Sequence, residues 1–124
     1  MFTLAKYLGG RGAYPDIVEI PANSALTYEA GTALVITSGK AALATGTVKP
    51  AFVAAGPAHK GMVPCWAVSE DTVFEVKAAG THTVGAAYTI ASTGKDVTIT
   101  TTDGVAKCIR ANDERGKILV VFEK

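Results

Sequence analysis

Turn-forming residues interrupt this chain at intervals of roughly 8–12 positions, and that spacing constrains the fold more than any other feature. Between the interruptions lie short runs of apolar and β-branched residues. Ile17-Val18-Glu19-Ile20 reads as a strand that ends at Pro21, which has no N–H to give a sheet ladder. Thr32 to Thr37 reads as a strand, Ser38-Gly39-Lys40 as a tight turn, and Ala41 to Ala44 as the return. Val63 to Val68 and Thr72 to Val76 flank Ser69-Glu70-Asp71, and Tyr88-Thr89-Ile90 leads through Ser92-Thr93-Gly94-Lys95 into Val97 to Thr102. There Val97 and Ile99 alternate with Thr98 and Thr100, the period-two signature of one buried and one wet face. Lys117 to Phe122 is apolar without alternation, which predicts a strand covered on both faces. Alanine favours helix in isolation, but here it is interleaved with Gly, Thr and Val, and no stretch keeps helical spacing. The predicted fold is mainly β: a small β-barrel or β-sandwich of short antiparallel strands with an extended N-terminal arm. Small inward side chains suit a tightly curved sheet.

The arm is assigned to residues 1–20 and the β-rich domain to residues 21–124. Tyr7 to Pro15 holds three glycines and a proline, which weaken helix and strand alike, so at most one helical turn is expected over 3–8. Disordered tails are usually polar, whereas this one carries Phe2, Leu4, Tyr7, Leu8 and Tyr14. These residues, with Arg11 as a charge-assisted donor, are the candidate contacts to a neighbouring subunit or partner.

A chain of 124 residues fits one domain and buries roughly two-thirds of its unfolded surface, enough to form a core without metal or disulfide. Net charge is +1, which argues against nucleic acid as a partner. No run approaches the roughly 18 apolar residues of a membrane-spanning helix, and Met1 to Lys6 lacks the pattern of an export signal. Cys65 and Cys108 are therefore expected as reduced thiols that pack as small hydrophobes. His59 and His82 both lie in turn-like sequence and are expected to be exposed. With the two cysteines they make a zinc-compatible set, but no pair has metal-ligand spacing. The acid pairs Glu70-Asp71 and Asp113-Glu114 point apart in a strand or turn and form no two-carboxylate site. No nucleophile elbow surrounds any serine. No catalytic residue, metal or cofactor is expected.

Gly31 to Lys40 resembles Gly85 to Lys95 with one residue inserted, each a Gly-led strand closed by a Ser/Gly/Lys turn. Shared hairpin chemistry accounts for this as readily as duplication does. A second likeness points outward. Met62-Val63-Pro64-Cys65-Trp66-Ala67-Val68-Ser69-Glu70-Asp71-Thr72-Val73-Phe74-Glu75-Val76 resembles the central hairpin of small tailed-bacteriophage capsid decoration (head cement) proteins. Lys49-Pro50-Ala51-Phe52, Val84-Gly85-Ala86-Ala87-Tyr88 and Gly104-Val105-Ala106 resemble flanking elements, so the likeness runs over roughly residues 25–124. It implies a structural virion protein, made in the host cytoplasm, that sits on the capsid surface as a homotrimer and binds the major capsid protein. The rival expectation is a non-catalytic carbohydrate-binding or adhesion module, which needs exposed aromatics on one face; Trp66, Tyr28 and Tyr88 are the plausible trio.

Overall fold

The computed structural model describes residues 1–7, 17–69, 72–78, 82–111 and 115–123. Among these there is no helix. Eleven strands run β1 (Thr3–Tyr7), β2 (Ile17–Pro21), β3 (Ala33–Thr37), β4 (Lys40–Leu43), β5 (Phe52–Ala54) and β6 (Met62–Ala67), then β7 (Thr72–Lys77), β8 (Ala87–Ile90), β9 (Val97–Thr100), β10 (Ala106–Arg110) and β11 (Lys117–Phe122). They form a six-stranded sheet in the order β1-β7-β11-β10-β8-β9 and a five-stranded sheet in the order β2-β6-β5-β3-β4. Every pairing is antiparallel. Neither sheet closes on itself, so of the two expected architectures the molecule adopts the sandwich-like one.

Local chemistry sets the hairpins. Ser38 (φ 52°) and Gly39 (φ 77°) are consecutive left-handed residues, the backbone of the type I′ turn whose twist matches its strands. Alternation then sorts side chains to opposite faces of the five-stranded sheet. Ala33 and Val53 join the larger core between the sheets, while the neighbouring Leu34 and Ala54 join a smaller core on the other face. That smaller core contains Ala41, Ala54 and Cys65, whose size lets the sheet curl until its edge strands β2 and β4 approach each other. Tyr28 closes it: the buried hydroxyl donates to the Ala41 carbonyl at 2.6 Å and accepts from the Asn23 N–H at 2.9 Å.

The larger core is organised by aromatics. Phe122 meets Phe2 edge-on at 5.1 Å between centroids and Phe74 at 5.6 Å. In β11, Ile118, Val120 and Phe122 face this core; on the opposite face Leu119 is buried but Lys117 and Val121 are half-buried, so the expected cover on both faces is met only in part.

Three expectations need correction. Residues 3–7 form β1 against β7 in place of the expected helical turn, and β2 pairs with β6, so the described part of the stretch assigned to an arm supplies one edge strand to each sheet. Phe2 drives this. It is buried in the core, and its N–H donates to the Gly31 carbonyl at 2.9 Å. Gly31 has φ +86°, and a Cβ there would stand 2.8 Å from the Phe2 carbonyl oxygen, so only glycine permits the approach. Next, β6 and β7 are not a hairpin. Both edges of β6 are occupied, by β2 and β5, so the chain crosses to the other sheet. Ser69 and Thr72 brace that corner. The Thr72 N–H donates to the Ser69 carbonyl and the Ser69 N–H to Thr72 Oγ1, both at 3.2 Å. Finally, in β9 Val97 is half-buried but Ile99 is 61% exposed, because β9 lies at the sheet's edge.

Candidate functional site

One row of residues crosses four strands of the six-stranded sheet. Thr3 on β1 opposes Glu75 on β7, Glu75 opposes Leu119 on β11, and Leu119 opposes Arg110 on β10. A bulge between Cys108 and Arg110 shifts the register and brings Arg110 into the row. The row lies on the face away from the larger core, since the adjacent Phe74, Val120 and Cys108 point inward. It floors a groove of about 370 Å³ lined by Thr3, Leu4, Ala5, Glu75, Arg110, Arg115 and Leu119.

Charge is concentrated around Glu75. Its mostly covered carboxylate accepts from Arg115 Nη2 at 2.9 Å, and Lys117 Nζ lies 3.3 Å and Arg110 Nη2 3.9 Å away. Exposed ion pairs of this kind add only about 0–1 kcal/mol each to stability. Their effect is positional: they gather two planar guanidinium groups around one carboxylate, Arg115 through a hydrogen bond and Arg110 through longer-range attraction. A guanidinium presents its donors in a fork that matches the oxygens of a carboxylate or phosphate.

Of the candidate contacts, Phe2 is buried and Leu4 is half-buried against the same core. Tyr7 is placed only by its backbone, opposite Thr72. Leu8, Arg11 and Tyr14 lie outside the described residues, as do Glu70, Asp71, Asp113 and Glu114. The proposed stacking trio does not form a platform. Tyr28 and Tyr88 are buried, and Trp66 is half-buried against the larger core, where it borders a crevice of about 100 Å³ beside Phe2 and Gly31.

His59 is exposed in a turn, as expected. His82 is not. It is half-buried, with Nδ1 2.8 Å from the Tyr88 hydroxyl and the two rings 5.5 Å apart. Burial, then the neighbouring Cys108 thiol, push the Tyr88 hydroxyl up to about 12. Cys65 and Cys108 are both free thiols buried in different sheets. Burial pushes Cys65 up to about 11, which leaves it protonated and unreactive near neutral pH. No cluster of three or more His, Cys, Asp or Glu occurs among the described residues.

Sequence reasoning did not single out Glu75, Arg110, Arg115 or Lys117. One signal was present: Glu75 is the sole charge within Thr72-Val73-Phe74-Glu75-Val76. A charge inside an otherwise apolar strand marks a face that is not core. Comparisons with models of protein families, with curated proteins and with solved structures found no match.

Proposed function

We propose that this chain is a structural virion protein that binds the outer surface of a phage capsid and stabilises it. The likeness of residues 62–76 to decoration proteins suggests the capsid, and with it the trimeric state and the major capsid protein as partner. The observation that most favours a binding role is the arginine-lined groove across β1, β7, β11 and β10. Thr3, Leu4, Glu75, Arg110 and Leu119 in its lining lie on paired strands, with Arg115 in the turn before β11, so little backbone order is lost along the floor when a ligand arrives. Its chemistry suits a carboxylate-bearing segment of the capsid protein. Leu8, Arg11 and Tyr14, which lie outside the described residues, are further candidate contacts to the capsid in this reading. No nucleic acid, membrane, catalytic step or cofactor enters it.

The test is co-sedimentation with expanded, undecorated heads built from the major capsid protein of the same genome. The wild-type chain should bind saturably, and replacing both Arg110 and Arg115 with alanine should weaken binding at least about tenfold, equivalent to one lost charge-assisted contact. A wild-type chain that stays in the supernatant refutes the capsid reading. Undiminished binding by the double variant removes the groove from it.

A further inference from the structure

We infer that β9 is a self-pairing edge through which two copies of this chain associate. Two sheets present four edges, and three of them are blunted. β2 and β4 lean toward each other across the smaller core. β1 is interrupted by a bulge between Leu4 and Lys6. β9, Val97-Thr98-Ile99-Thr100, has neither a charged residue nor a proline, and its register with β8 is unbroken. An edge without such guards is a template for another strand.

β8 sets the backbone directions of β9. Ile90 exchanges both of its main-chain bonds with Gly46, at 2.7 and 3.0 Å, and the Tyr88 carbonyl accepts from the Val105 N–H at 2.9 Å. At these two positions β8 therefore turns away from β9. Directly opposed residues of an antiparallel pair share that orientation. Val97 opposes Ile90 and Ile99 opposes Tyr88, so both aim their N–H and C=O groups out of the open edge.

The side chains agree. Ile99 lies on the same face as Tyr88, which is fully buried, yet Ile99 is 61% exposed. It continues the larger core past the point where the chain's own residues cover it. Two copies aligned antiparallel about Thr98 set Val97 of each opposite Ile99 of the other. That register satisfies every outward group of both residues, covers Ile99 with Val97 of the second copy, and places only uncharged threonine on the two-fold axis. Because the strand meets itself in complementary register, a second copy is the occupant this edge fits. The contact is two-fold and independent of any capsid, so it stands or falls separately from the trimeric capsid reading.

Sedimentation equilibrium of the full chain from about 10 to 300 µM tests it, a range suited to a contact smaller than a standard interface. The average mass should climb from 12.7 kDa toward twice that value. Ile99→Lys should stay near 12.7 kDa, while Ile36→Lys, at an exposed isoleucine on β3, should associate like the wild type. Amide exchange in the wild-type chain gives a second readout that needs no variant: Val97 and Ile99 should exchange more slowly as concentration rises. A wild-type monomer throughout, an Ile99→Lys variant that associates unchanged, or concentration-independent exchange at both amides overturns the proposal.

Discussion

Replacing Phe2 with alanine asks whether the first residues belong to the folded unit or merely hang from it. Phe2 is 1% exposed and stacks edge-on against Phe122, which in turn contacts Phe74. Truncating a buried phenylalanine costs about 3–5 kcal/mol, of which the aromatic pair accounts for roughly 0.5–1.5 kcal/mol. A domain of this size has about 5–15 kcal/mol in all, so the loss is a large fraction of it. The ring also anchors β1, since the Phe2 N–H bonds to Gly31 and the next residue begins the ladder with β7. The melting temperature should therefore fall by roughly 10–25 °C, and the urea midpoint should shift in proportion with little change in slope. Thermal and urea unfolding of the full-length variant, followed by far-ultraviolet circular dichroism, provides the measurement. A loss under about 1 kcal/mol, within the range of ordinary surface substitutions, would show that residues 1–7 are an arm and that the packing described above is wrong.

Two further perturbations probe the small core. Tyr28→Phe removes a buried hydroxyl that donates to Ala41 and accepts from Asn23, and urea denaturation should show a loss of about 1–3 kcal/mol. The Cys65 thiol titrates near 9.0 when unfolded and about 11 when folded, so in that window the unfolded chain has released a proton that the folded chain retains. Stability should therefore fall as pH rises from about 9, with a limiting slope near 1.4 kcal/mol per unit. Cys65→Ala should flatten the slope measured by urea titration between about pH 9 and 10, where the Tyr88 contribution is common to both proteins and cancels; equal slopes in the two proteins would refute the assignment.

Features set by a few adjacent residues were legible in the sequence. The β3–β4 turn follows from Ser38-Gly39, whose left-handed backbone is a local property, and β2 is bounded by Pro21. Features set by competition between distant elements were not. Residues 62–76 read as a hairpin because nothing in them says that β6 has both edges taken by Ile17–Pro21 and Phe52–Ala54. The fate of Phe2 depends on a glycine at 31 and a ring at 122. Tyr28 reads as one of three candidate exposed aromatics, and its burial follows only from the curl of a sheet lined by alanines. The groove is the extreme case. Thr3, Glu75, Arg110 and Leu119 meet only after four strands are in register, and Arg110 enters the row through a one-residue bulge.

The position of β7 has a consequence for synthesis. Glu75 is opposed by Thr3 on one side and by Leu119 on the other, so one end of the larger sheet brings together strands from residues 3–7, 72–77 and 117–122. During translation the strand that pairs with β1 is missing until residues 72–77 have emerged. The far edge of β7 then stays open until residues 117–122 follow. The ring of Phe122 reaches Phe2 and Phe74 last. Closing such long loops before their contacts stabilise anything makes this sheet slow to form. A ribosome product broken off before residue 117 lacks the strand that holds both halves of the sheet. Without it β7 and β10 are not joined, so the larger sheet exists only once residues 117–122 are in place.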